Sequence, residues 1–128
     1  MALVIKSLTG SSGDGATLVF DEIDAGVGAD LGDVLAEKLL ALAARHQILC
    51  ITHMPQIAAR ASVHVGVAKE VDGARTRVKL RRLDGDDRAR EIARMLGGDE
   101  GSERRQALAR ELLASAPRRA STTTRVRP

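Results

Sequence analysis

Hydrophobic positions in this chain form two kinds of pattern. Continuous short runs occur at Leu18-Val19-Phe20 and at Ile48-Leu49-Cys50-Ile51. Runs of this length, bounded by Gly-rich or polar residues, are expected to be strands buried on both faces, as in parallel sheets. Between them Leu31, Val34, Leu35, Leu39 and Leu42 recur at helical spacing, an apolar stripe for one helix face, with Asp30 as its cap and His46-Gln47 at its close. Strand, helix and strand make one βαβ unit. Further on, Val63, Val65 and Val67 alternate with polar residues, as do Val78 and Leu80, around Asp72-Gly73. This predicts a hairpin with a valine face on the core and a Lys/Arg face in water.

Helices complete the picture. Met1–Leu8 has the spacing of a helix end, and Thr9–Gly15 reads as a loop. Pro55 suits a helix start, and Gln56–Ala61 continues it. Asp84–Asp87 is expected to cap a helix that carries Ala89, Ile92, Ala93 and Leu96 and stops at Gly97-Gly98. A last helix opens at Ser102 and packs through Leu108 and Leu112, with Pro117 past its end. Ala116–Pro128 is poor in apolar residues and is expected to be a disordered basic tail. Residues 1–115 then form one folded portion.

Composition narrows the function. Hydrophobic residues make up 44% of the chain, but there is one Phe and no Trp or Tyr. The core must be aliphatic, and a base-stacking single-strand binder is disfavoured. The net charge of +3 owes most to the tail arginines Arg118, Arg119, Arg125 and Arg127, so the folded part is near neutral. Such a tail can contact nucleic-acid phosphates, although solvated ends are commoner. Cys50 is the single cysteine, so no internal disulfide forms; it fits a buried, inert thiol in a reducing cytoplasm. No stretch approaches the roughly 18 apolar residues of a membrane span, and no signal peptide is evident.

The candidate chemistry lies where the strands end. The first apolar run passes straight into Asp21, Glu22 and Asp24; the second ends at Thr52-His53. Open α/β sheets bind ligands beyond the carboxyl ends of their strands. If the two strands are neighbours, Asp21, Glu22 and His53 share one crevice suited to a hydrated metal ion, an activated water and a phosphate. A strand end that merely turns polar at the surface is the plain alternative. A zinc hydrolase is weaker, because His46, His53 and His64 lack zinc-ligand spacing.

Three blocks carry a family resemblance. LVFDEIDAGVG at 18–28 resembles the Walker B and D-loop segment of the RecN family of bacterial DNA repair proteins, SMC-like members of the ABC-type ATPases. THMPQIA at 52–58 resembles the family's switch-histidine segment, and EIARMLGG at 91–98 its C-terminal helix. The resemblance spans roughly residues 1 to 115. It implies a partial P-loop NTPase: the C-terminal lobe of an ABC/SMC-type head, with parallel strands, flanking helices and a β-hairpin.

It also implies residue roles. Asp21 would hold Mg²⁺ through a coordinated water, Glu22 would polarise the attacking water, and His53 would contact the γ-phosphate of ATP. Asp24, Ala25, Gly26, Val27 and Gly28 would form the nucleotide-contacting D-loop, which crosses to the second subunit of an ATP-sandwiched homodimer. Gly28 stands where many ABC ATPases have aspartate, and Ala29 where a second glycine is common. The chain holds no G-x-x-x-x-G-K-[ST] loop, Q-loop, coiled-coil arm or signature loop. The N-terminal part of a head is therefore an implied partner, and the isolated chain is expected to be inactive. The implied role is cytoplasmic and nucleoid-associated, in double-strand break repair and recombination. A non-catalytic remnant or interaction module is the alternative, and a head from another SMC-like protein is a weaker one.

Overall fold

The structure is a computed structural model that describes residues 15–26, 28–73, 75–97 and 102–116. The expectations for Met1–Leu8, most of Thr9–Gly15, Val27, Gly98, Pro117 and the basic tail lie outside the described residues.

The elements run β1 (Thr17–Asp21), α1 (Ala29–Ala43), β2 (Gln47–Ile51), α2 (Pro55–Arg60), β3 (His64–Asp72), β4 (Arg75–Leu83), α3 (Gly85–Met95) and α4 (Glu103–Ser115). β1 and β2 pair in parallel, with Leu18 opposite Ile48 and Asp21 opposite Ile51. β3 and β4 pair antiparallel, from His64 opposite Leu83 to Asp72 opposite Arg75. The result is a mixed α/β fold with a parallel strand pair and an antiparallel hairpin. Among the described residues no helix is long and apolar enough to cross a membrane.

Two cores form. In the first, Phe20 of β1 packs with Leu35, Ala36, Leu39 and Leu42 of α1 and with Met54 and Ile57; Leu18, Ile23, Ile48 and Cys50 close its margin. In the second, Ala58 and Ala59 of α2 meet Ile92 and Ala93 of α3 and Ala109 of α4. The short helix α2 contributes to both, so the segment after β2 is held between them. Small side chains make this possible, since alanines let three helices approach closely without rings to fill gaps.

Several expectations are corrected. The parallel strands are covered on one face only: Val19 is 62% exposed, and Leu49 and Ile51 are also exposed. A two-stranded sheet with one helix on it has a second face left open. Within the α1 stripe Leu31 and Val34 are exposed. The N-cap of α1 is Gly28, without a side-chain cap bond, and Asp30 lies in the first turn. The helix ends at Ala43, ahead of His46, and Gln47 already belongs to β2. Asp84 is the N-cap of α3 but makes no side-chain cap bond; it pairs with Arg82 at 3.2 Å. In α4 Leu108 is exposed and Ala109 takes the buried position.

The largest correction concerns the hairpin. Val65, Val67, Val71, Val78 and Leu80 are all exposed, so its valine face does not pack on the core of these residues. Neither β3 nor β4 has an extended contact with another described element. The hairpin is an arm anchored at its base by buried Leu83, over which Gly66 lies so close that a Cβ there would stand 3.0 Å from Leu83 Cδ1.

Candidate functional site

The carboxyl ends of β1 and β2 lie side by side, as the parallel register requires. Asp21 is the last residue of β1, exposed, opposite Ile51. The Glu22 N–H donates to the Ile51 carbonyl at 3.1 Å, which carries the pairing one step past the strand. Glu22 itself has φ +47° and is exposed. A non-glycine residue in the left-handed region is strained, and such strain persists only where surrounding contacts enforce it. Here the chain must leave the sheet and turn at once: the Ala25 N–H donates to the Glu22 carbonyl at 3.0 Å, and Gly26 follows at φ +76°. The turn keeps Asp21 and Glu22 in water and drives the next carboxylate inward.

That carboxylate is Asp24, 1% exposed. Its Oδ2 accepts hydrogen bonds from the Thr52 hydroxyl, the His53 N–H at 3.0 Å and the Met54 N–H at 3.2 Å. The His53 Nδ1 lies 3.3 Å from the same oxygen. Burial raises the pKa of Asp24, but the bonds from the Thr52 hydroxyl and the His53 N–H outweigh it, and the group sits below the ordinary aspartate value. Asp24 is therefore an anion that ties the turn after β1 to the turn after β2. Its Oδ1 is buried and has no hydrogen-bond partner among the described residues.

His53 presents the rest of its ring to solvent, its side chain 74% exposed. Met54 is the N-cap of α2, and Pro55 fills the first turn, where its missing N–H costs little. Across the gap Gly32 of α1 gives room for this segment: a Cβ there would stand 2.6 Å from Met54 Cε. The far end of α2 is fastened by Arg88 of α3. Its Nη2 donates to the carbonyls of Ala58, Ala59 and Ala61 at 3.1, 3.0 and 2.6 Å. They lie at the end of α2, where carbonyls lose their helical partners; the Ala58 carbonyl also accepts from the Ala61 N–H at 3.3 Å. Arg60 binds back to Asp33 of α1 at 2.9 Å.

The expected site residues thus separate. Asp21 and Glu22 are exposed at one strand end, with Ala25, Gly26 and Gly28 exposed along the turn into α1. Val27 lies outside the described residues. Asp24 and His53 are in contact, whereas neither Asp21 nor Glu22 has a hydrogen bond or ion pair with His53 among the described residues. Among those residues no three His, Cys, Asp or Glu side chains gather as a metal cage. Sequence reasoning missed Thr52 and Arg88. Thr52 had a faint signal, a hydroxyl ending an apolar run; Arg88 had none beyond being a basic residue early in a helix.

Cys50 lies beneath this edge. Burial, with the Asp24 charge as a smaller cause, pushes its thiol up to about 11, so it stays protonated at neutral pH.

A parallel strand pair with a helix crossover and an acidic and histidine-bearing carboxyl edge defines an α/β segment compatible with part of a nucleotide-binding fold. Comparison with known proteins gives the particular relationship. No family model matches the chain. It is 42% identical over 116 residues to the DNA repair protein RecN of Treponema pallidum, covering 91% of this chain and 20% of that protein. It is 46% identical over 112 residues to the RecN of Deinococcus radiodurans, covering 88% and 19%, and 39% identical over 114 residues to that of Bacillus subtilis, covering 89% and 20%. The chain is a RecN-type segment, in keeping with the C-terminal part of that protein, and spans about a fifth of the length of the curated relatives it matches.

Proposed function

We propose that the chain is the C-terminal lobe of a RecN-type, ABC/SMC-like ATPase head of the P-loop NTPase class. Its role in this reading is to supply Walker B, D-loop and switch-histidine segments for ATP hydrolysis in double-strand break repair and recombination. The observation that carries the reading is the β1–β2 register, which sets Asp21 and Glu22 beside the Thr52–His53 turn at one sheet edge.

Each residue has a chemical part in this reading. Asp21 is a lone exposed carboxylate, which suits Mg²⁺, an ion that keeps most of its waters and takes one or two carboxylates with phosphate oxygens. The metal, when bound with ATP, would neutralise phosphate charge. Glu22 would accept a hydrogen bond from the attacking water and orient it. His53, steadied by Asp24 at Nδ1, would turn its outer nitrogen to the γ-phosphate. Positioning and charge neutralisation dominate phosphoryl transfer, so a rigid edge is what the protein must provide. The turn from Asp24 through Ala25 and Gly26 to Gly28 would face the second subunit of a homodimer across ATP.

The phosphate cradle itself must come from elsewhere, since the chain holds no Walker A lysine. The open face of the parallel pair, with Val19, Leu49 and Ile51, is the natural seat for the N-terminal part of the head, because parallel sheets are covered on both faces. DNA would be reached indirectly, or through the arginines of the arm and tail, in the cytoplasm at the nucleoid.

The test is reconstitution. The chain alone should show negligible ATP hydrolysis. Coexpressed with the N-terminal part of a RecN relative, it should restore hydrolysis that Glu22→Gln abolishes. Steady hydrolysis by the chain alone, or a reconstituted activity indifferent to Glu22→Gln, would overturn this reading. Association without hydrolysis would favour a non-catalytic interaction module.

A further inference from the structure

The His53 ring has a single hold. Its Nδ1 lies 3.3 Å from Asp24 Oδ2, the same oxygen that accepts from the His53 backbone N–H at 3.0 Å. Among the described residues the ring has no other hydrogen bond or ion pair, and Asp21 and Glu22 do not reach it. Asp24 is the opposite case, with its side chain wholly buried. Every contact it makes falls on Oδ2, from Thr52, His53 and Met54, while Oδ1 is buried without a partner among the described residues. Those bonds fix where Oδ2 stands, so the exposed ring lies against an anion that cannot swing away. Imidazole chemistry then decides the proton. A neutral ring holds one proton, on Nδ1 or on Nε2, and the partner of one nitrogen sets the state of the other. An unprotonated Nδ1 would point its lone pair at a carboxylate oxygen, which is repulsive; a protonated Nδ1 is attracted. Free histidine prefers the proton on Nε2, so this contact works against the ring's own preference.

We propose that Asp24 is a positioning residue that holds His53 in the Nδ1–H tautomer and leaves Nε2 as its outer, working nitrogen. This deepens, and rests on, the reading of His53 as the histidine that meets the γ-phosphate. With the proton on Nδ1, Nε2 of a neutral ring carries a lone pair and repels a phosphate oxygen. Only the imidazolium, with a second proton on Nε2, donates there, and the buried Asp24 anion balances its charge. Among the described residues Asp24 is the one charged group paired with the ring, and the Cys50 thiol beneath the edge stays neutral. The sequence pattern grouped Asp24 with a nucleotide-contacting turn. Burial removes it from the nucleotide, and it acts through His53 instead.

Nitrogen NMR of the full chain with isotope-labelled histidines tests this directly, at a pH where the rings are neutral and with His53 assigned by its loss in His53→Gln. The Nδ1–H form of His53 should be the major one. A major Nε2–H form, as in free histidine, overturns the proposal. Asp24→Asn keeps an acceptor oxygen for the Thr52, His53 and Met54 donors but removes the charge. It should shift the ratio toward Nε2–H at least about fivefold, since a charged acceptor bonds roughly twice as strongly as a neutral one. An unchanged ratio would show that the charge does not select the tautomer, and the proposal falls. In a head reconstituted with the N-terminal part of the Treponema pallidum RecN, Asp24→Asn should lower kcat at least about tenfold with KM for ATP and copurification unchanged. A raised KM with kcat unchanged would assign Asp24 to nucleotide binding and overturn the positioning role. The nitrogen spectra need neither nucleotide nor partner. Failure of reconstitution therefore counts against the proposed function, and the tautomer is read independently of it.

Discussion

The two strand pairs of this protein make an instructive contrast. β1 and β2 are short, parallel and far apart in sequence, yet their carboxyl ends are fixed by a buried anion and a stapled helix. β3 and β4 are long, antiparallel and adjacent in sequence, and their hydrogen-bonded ladder extends into solvent with its apolar side chains uncovered. Backbone pairing alone therefore does not decide where rigidity lies. Side-chain closure does: Asp24 ties two turns together through three donors, whereas the arm is held at its base. In the proposed reading, chemistry that depends on fixed geometry falls to the first pair.

The contrast can be tested by substitution, beginning with the largest expected effect. Asp24→Ala leaves the Thr52 hydroxyl and the His53 N–H without their acceptor and the Met54 N–H with the Thr52 oxygen alone, and should lower the unfolding free energy by about 3 kcal/mol in chemical denaturation. A cost below about 0.5 kcal/mol, the range of an ordinary surface change, would show that the edge is not held by this carboxylate. Arg88→Ala should cost about 2 kcal/mol, since the Ala59 and Ala61 carbonyls lose their donor and the Ala58 carbonyl keeps the Ala61 N–H alone. Faster amide exchange around Met54–Ala61 would locate the damage in α2, and unchanged exchange there would count against the staple.

Acid should act both at the edge of the first pair and at the base of the arm, where His64 opens β3. The Asp24 carboxyl is held below its ordinary value of 3.8, so the unfolded chain binds its proton more readily. Its contribution is complete above that value and is lost as pH falls through the folded pKa. His64 is lowered from 6.5 by burial and by Arg88, with Glu91 opposing. The unfolded chain again takes the proton first, so this contribution too is complete above about 6.5 and falls as pH drops. Denaturation midpoints should decline below neutrality, and His64→Gln should flatten the upper part of that decline. The smallest effect is expected on the arm. Val71→Ser, exposed near the tip, should change stability by less than about 0.5 kcal/mol. A larger loss would mean that the valine face is packed in the free chain after all.

Much of this was legible from sequence. The parallel strands, their helix crossover and the hairpin all follow from local periodicity, and the acidic and histidine residues were expected at strand ends. The errors share one cause. Periodicity tells which residues share a face but not what lies opposite it. Val19 and Leu49 were expected to be covered on the same ground as Phe20, yet α1 covers one face alone. The hairpin's alternation correctly grouped Val65, Val67, Val78 and Leu80 on one side and wrongly seated that side on the core. Asp24, grouped with the turn residues after β1, is set apart from its neighbours by pointing inward, and no spacing rule distinguishes it from Asp21.

The amino-acid sequence by itself determined the elements, their order and the residue types at the two strand ends, because these depend on neighbours a few positions away. The tertiary structure decided which carboxylate is buried, that Arg88 closes the helix after His53, and that the arm's valine face is exposed among the described residues. Those outcomes depend on contacts between residues some thirty positions apart, such as Asp24 with His53 and Arg88 with Ala59, and such contacts exist only once the chain has packed.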